Sequence, residues 1–116
     1  MIVAVQGTKD FDDYQVFLRA MGVAMSAMQD EDKELLIYSA GPARINSMVS
    51  EFSNLSERGM KSRGKKLKFF KVPASYIEEN MEHVNYLAFL SKPKESTSNL
   101  VRVAELKNIE VGIYRY

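Results

Sequence analysis

Five short apolar runs, separated by segments whose apolar residues recur at helical spacing, constrain this chain more than any other feature. The first, "IVAVQ" at residues 2–6, is β-branched or small and continuous rather than alternating, the pattern of a strand buried on both faces. From Asp12 the period changes. Phe17, Ala20, Met21, Ala24 and Met28 mark one face of a helix to about Gln29, and Asp10, Asp12 and Asp13 crowd its start, where carboxylates suit the helix dipole. "ELLIYSAG" at 34–41 repeats the design, and Pro42 is preadapted to a first helical turn. Ile45, Met48, Val49, Phe52 and Leu55 mark the second helix, with Gly59 as its expected end. "KLKFFKV" predicts strand three, "SYIEENME" a short helix from Ser75, and "VNYLAFL" strand four. The polar loop "SKPKESTS" leads to a helix marked by Leu100, Val103, Ala104 and Leu106, and "IEVGIYRY" is strand five.

Strands alternating with helices predict an α/β domain: a mostly parallel five-stranded sheet with helices on both faces. The 116 residues suit one domain with one core. Right-handed crossovers leave two leading strand orders, Rossmann-like 3-2-1-4-5 and flavodoxin-like 2-1-3-4-5.

Sixteen basic and fifteen acidic side chains give a net charge of +1, so no overall field recruits nucleic acid or an anionic membrane. The absence of cysteine excludes disulfides, thiolate catalysis and cysteine-bound zinc. No apolar stretch approaches the roughly 18 to 20 residues that cross a bilayer, and the chain reads as soluble and cytoplasmic. His83 is the sole histidine, and Glu78, Glu79 and Glu82 beside it have no nucleophile nearby, so neither a metal site, a cofactor nor a catalytic group is expected there.

Ligands of open parallel sheets bind outside the carboxyl ends of the strands, where strand order reverses. "GTKDFDD", "AGPARINS" and "SKPKESTS" follow strands one, two and four and belong at that edge. They carry hydroxyls at Thr8, Ser39, Ser96, Thr97 and Ser98, cations at Lys9, Arg44, Lys92 and Lys94, and helix starts with free N–H groups, a chemistry suited to phosphate. The competing interpretation is ordinary turn chemistry, with Asp12 or Asp13 capping helix one and Lys9 paired to a carboxylate. "RGMKSRGKKLKFFK" at 58–71 holds seven basic residues and no acidic one, yet it leads into the start of strand three, on the opposite edge. A solvated loop is the favoured reading over a nucleic-acid contact, with Phe69 and Phe70 packed in the core.

"VAVQGTKDFDDY", "YSAGPARINSMVSEF" and "SKPKESTSNLVRVAELKNIEV" together resemble the SLOG superfamily, whose strand-one, strand-two and late Gly-Thr turns have similar placement. The resemblance implies a Rossmann-like nucleotide-binding domain related to LOG phosphoribohydrolases and DNA-processing protein A, and it favours the order 3-2-1-4-5. By position it implies that Gly7, Thr8 and Lys9, then Gly41, Pro42, Ala43 and Arg44, then Ser96, Thr97 and Ser98 surround the ligand, with Asn80 as a further candidate. Pro42 and Ser96 replace glycines of the pattern, and Ser98-Asn99-Leu100 stands where LOG enzymes place a glutamate that assists glycosidic cleavage. The expected function is capture of a nucleotide-derived small molecule by a sensor or sequestering module. The alternatives are a LOG-like phosphoribohydrolase, or an interaction protein without a pocket whose basic loop meets nucleic acid or protein. Oligomers are common in the superfamily, so a homo-oligomer is a further expectation.

Overall fold

A computed structural model describes residues 1–116. The elements run β1 (Ile2–Gly7), α1 (Tyr14–Met25), β2 (Glu34–Ser39), α2 (Ala43–Ser62), β3 (Lys66–Lys71), α3 (Ala74–Glu79), a 3-10 turn (Met81–His83), β4 (Tyr86–Ser91), α4 (Asn99–Leu106) and β5 (Glu110–Arg115). All five strands are parallel, in the order β3-β2-β1-β4-β5, the Rossmann-like alternative of the two. β1 is central, and the strand order reverses between it and β4.

The continuous apolar character of β1 and β4 follows from this position. Val3 and Val5 pack beneath α1 and α2 with Phe17, Met21, Ile45, Val49 and Phe52, while Ala4, Leu87 and Phe89 face the other way, against Ile77, Leu100 and Ala104 of α3 and α4. Alternation along each strand sends successive side chains into two cores. Edge strand β3 buries neither face fully: Phe69 is half-buried toward α2, but Phe70 is exposed on the opposite face, against the expectation that both phenylalanines lie in the core.

Helix boundaries depart from the expected ones for local reasons. α1 begins where Asp13 accepts the Val16 amide at 3.1 Å. It stops at Met25 rather than Gln29, because the Ser26 hydroxyl turns onto the Val23 carbonyl and the Gln29 amide is held by Asp32 at 2.8 Å. α2 passes through Gly59, since Met60 one residue on is buried and anchors another turn against the core. It ends at Gly64, whose φ of 73° only glycine adopts freely; Gly64 N–H reaches Lys61 O and Lys65 N–H reaches Met60 O, a Schellman cap. Leu55 and Leu106, expected on buried faces, are 70% and 74% exposed.

Gly112 in β5 shows how tightly the sheet packs beneath α1. A Cβ there would lie 1.9 Å from the Tyr86 hydroxyl, which is itself fixed by a 2.8 Å hydrogen bond to the Tyr114 hydroxyl. Burial, followed by that partner, raises the Tyr86 pKa, so the Tyr86 hydroxyl stays protonated across the ordinary pH range. Gly112→Ala is expected to lower stability by about 1–3 kcal/mol through overpacking. Tyr86→Phe in the same chain, which removes the clashing oxygen, is expected to recover part of the loss; denaturant melts of the two single variants and the double variant measure it.

Candidate functional site

The turns after β1, β2 and β4 are bound to one another. Gly7 N–H donates to Gly41 O at 3.1 Å, Thr8 N–H to Leu90 O at 2.9 Å, and the Thr8 hydroxyl to Glu95 Oε1 at 2.6 Å. Asp12 adds a second clasp, with Oδ2 3.5 Å from Arg44 Nη1 and Oδ1 3.1 Å from Lys92 Nζ. One carboxylate thus ties a cation from each neighbouring loop to the first. These ion pairs are about half exposed, a setting in which each contributes roughly 0–1 kcal/mol. Their effect is to hold register and to neutralise part of the positive charge expected at this edge. Lys9 makes no ion pair, contrary to the turn-chemistry reading of it.

Each expected ligand residue has a place. Gly7, Thr8, Gly41, Pro42, Ala43 and Arg44 meet where β1 and β2 end, and Ser96, Thr97 and Ser98 lead from the Glu95 contact into α4. Pro42 is the residue before α2, its carbonyl accepting the Asn46 amide, and it supplies no side-chain cap. Ser98 precedes α4 in the same way, again with no side-chain cap. Two helices therefore begin uncapped at this edge, with first-turn N–H groups that no intrahelical carbonyl can satisfy. α1, capped by Asp13, does not offer the same opportunity.

Asn80 and Ser39 stand apart. Asn80 ends α3, one turn beyond Tyr76, where the chain leads away from the three turns toward the start of β4. Its side-chain amide donates to Tyr76 O at 2.8 Å and its carbonyl accepts His83 N–H, so its polar groups are engaged locally. Ser39 is fully buried, and its hydroxyl is taken by Asn46 Oδ1 on α2.

Glu95, Gln6 and Ser91 escaped the sequence reading. Glu95 lies just before Ser96 rather than after the Ser96-Thr97 pair. Its Oε1 accepts both the Thr8 hydroxyl and the Lys92 amide, each at 2.6 Å, while Arg115 donates to its carbonyl. The Thr8 hydrogen bond first and then the Lys92 amide hold its carboxyl below the usual glutamate range; desolvation opposes them by more than the Lys92 charge adds. Gln6 Oε1, Ser91 Oγ and Ser98 Oγ are buried without a hydrogen-bond partner. Ser91 has no exposed surface at all. Gln6 and Ser91 follow the alternation of Ala4, Leu87 and Phe89, which places them on the α4 side of the sheet, and Ser98 begins that helix. Buried polar atoms are normally satisfied, so these oxygens are unused hydrogen-bonding capacity on the α4 side of the sheet; Tyr14 Oη in α1 and Ser53 Oγ in α2 are unpartnered as well.

The basic segment is not one loop. Residues 58–62 belong to α2 and 66–71 to β3. Lys65 between them donates from Nζ to the carbonyls of Gln29, Asp30 and Asp32, at 3.1, 3.2 and 2.6 Å, pinning the turn after α1. Its charge serves the fold at the edge opposite the three turns. His83 is exposed and stands 3.6 Å from Glu82. No group of three or more His, Cys, Asp or Glu side chains is arranged to hold a metal ion, and no helix is long and apolar enough to cross a membrane. No protein-family model, curated protein or solved structure matches the chain.

The Glu95 geometry sets an expected pH response. A carboxyl whose pKa is depressed on folding contributes stability that is present above its unfolded pKa, near 4.3, and is lost as pH falls through the lower folded value. Carbon-detected NMR titration is expected to place the Glu95 midpoint below that of an ordinary glutamate in the wild type. Thr8→Val, which removes the largest cause, is expected to move it back upward.

Proposed function

We propose that this domain binds a nucleotide or nucleotide-derived anion across the carboxyl edge of its sheet, as a sensing or sequestering module. The observation that supports the reading is the set of buried, unpartnered oxygens of Gln6 and Ser91, at the carboxyl ends of β1 and β4, and of Ser98, at the uncapped start of α4, beside turns that hydrogen-bond to one another. An oxyanion there accepts hydrogen bonds from the serine hydroxyls and from the first amides of α4, and the helix dipole favours its charge. The Gln6 side chain, Thr8 and the free Glu95 oxygen suit the hydroxyls of a sugar. The SLOG resemblance, carried by Gly7-Thr8-Lys9, Gly41-Pro42-Ala43-Arg44 and Ser96-Thr97, supports the same ligand class.

Glu95 bears on the enzymatic alternative. A carboxyl held ionised by two donors is a poor general acid, whereas cleavage that relies on protonating a departing base needs a proton held near neutral pH. Glu95 suits hydrogen-bond acceptance better, and binding without turnover is the reading adopted. A homo-oligomer remains part of the proposal through the superfamily resemblance alone.

Thermal melts with the four nucleoside 5′-monophosphates, ADP-ribose and cyclic dinucleotides test the reading. A ligand at a hundred times its Kd is expected to add about 2.7 kcal/mol and to raise the melting temperature by on the order of 10 °C. Ser98→Ala is expected to weaken that ligand by about tenfold or more, the effect of one hydrogen bond to a charged group. Absence of any shift across the panel at millimolar concentration contradicts the proposal.

A further inference from the structure

The sheet has two open edges, β3 and β5, and their side chains guard them unequally. β3 carries Lys66, Lys68 and Lys71 and no acidic residue, a row of like charge that resists the approach of a second strand. β5 has neither lysine nor proline, only Glu110 at its start and Arg115 at its end. Its mid-strand Ile113 is 42% exposed. An edge without such guards is a template for another strand.

The backbone fixes which groups that edge offers. Tyr116 N–H donates to Ser91 O at 2.9 Å, so by alternation the amides and carbonyls of Glu110, Gly112 and Tyr114 turn toward β4, and those of Val111, Ile113 and Arg115 turn outward. An antiparallel copy of β5 engages all three outward residues of both strands in one register: Ile113 meets its own counterpart on a twofold axis, and Val111 meets Arg115 of the partner subunit. Both are hydrogen-bonded pairs.

Charge agrees with this register. Glu110 and Tyr116 lie on the α1 face of the sheet, the face of Tyr114 and of the Gly112–Tyr86 contact, and the register sets Glu110 opposite Tyr116 of the partner subunit. Arg19 of α1 covers that tyrosine within its own chain, with Cζ 5.6 Å from the ring centroid and Nη1 3.4 Å from the hydroxyl. Opposed side chains on antiparallel strands have Cβ atoms about 4.5–5.5 Å apart, which brings the Glu110 carboxylate within reach of Arg19 of the partner subunit. Neither group has an ion pair within the chain. The twofold axis makes the contact twice.

We infer that the protein forms a twofold dimer through β5, joining two five-stranded sheets into one, with Ile113 on the axis and a Glu110–Arg19 ion pair on each side of it. The occupant of the edge is a second copy because the strand is self-complementary: its acid meets its own base, and no like charges are opposed. This interface gives the homo-oligomer a definite face, and it does not depend on the nucleotide reading.

Sedimentation equilibrium at up to about 300 μM, a concentration that populates even a weak dimer, tests the interface. The wild type is expected at twice 13.2 kDa, and Ile113→Lys, which sets like charges together on the axis, at the single-chain mass. Ile113→Pro removes an amide that the ladder to β4 does not use and is expected to be monomeric too. Circular dichroism checks the fold of each variant, and Ile113→Lys at its exposed position carries the test should Ile113→Pro unfold. Glu110→Arg is expected to weaken the dimer roughly tenfold, since it replaces two exposed ion pairs by repulsions, and Arg19→Glu in the same chain to restore it. A wild type that stays monomeric, or a dimer undiminished in folded Ile113→Lys, overturns the interface and leaves the nucleotide reading standing. A double variant no tighter than Glu110→Arg overturns the register.

Discussion

The carboxyl edge of this protein is organised around the absence of a side chain at residue 7. A Cβ on Gly7 would stand 2.7 Å from Ile45 Cδ1 and 2.8 Å from Leu90 O, one belonging to α2 and the other to β4. The backbone of β1 therefore ends pressed between its two neighbours, and that approach puts Gly7 N–H on Gly41 O and Thr8 N–H on Leu90 O. The requirement here is for space rather than for an unusual backbone angle. With the strand ends held at this distance, Thr8 can reach Glu95 and Asp12 can reach both Arg44 and Lys92.

The edge so formed is less positive than its lysines and arginines suggest, and more dipolar. Asp12 neutralises charge on two loops, and Glu95, its pKa lowered by the Thr8 and Lys92 hydrogen bonds, brings a further carboxylate to the rim. In the proposed reading, an anion would meet chiefly the uncapped start of α4 and the Ser98 hydroxyl. A seat built from oriented dipoles and hydroxyls selects by geometry, and it depends less on salt than one built from exposed cations. The same chain keeps its densest positive charge at the other edge, where Lys65 is committed to three carbonyls and holds the turn between α1 and β2.

The parallel five-stranded sheet was legible in the sequence because alternation and handedness leave few topologies that bury β1 and β4, and the resemblance favoured the observed order, 3-2-1-4-5, over the one other leading alternative. Helix ends were less legible. Gly59 resembles a stop signal, but the burial of Met60 outweighs the roughly 1 kcal/mol that a glycine costs within a helix, and the stop falls on Gly64. The convergence of the turns that carry Gly7, Thr8, Gly41 and Glu95 was readable from turn chemistry, whereas Asn80, whose role came from resemblance alone, lies at the end of α3 with its side-chain amide on Tyr76 O. Glu95 was overlooked since its partners, Thr8 and Lys92, lie 87 and 3 residues away, and only the fold brings the distant one to it. Gln6 and Ser91 sit at the ends of apolar strands, where a lone polar residue reads as punctuation until its neighbours are known. Phe70 read as core because a strand pattern does not reveal which face of an edge strand goes uncovered.

The central claim is that the rim between β1 and β4, completed by α4, receives the phosphate of a nucleotide. Amide chemical-shift mapping during titration with AMP tests it most directly, since it reports location independently of any substitution. The account predicts the largest perturbations at Thr8, Gly41 and the Ser98–Leu100 amides. Perturbations confined to the opposite edge, around Lys61–Lys66, or none at all, would contradict it.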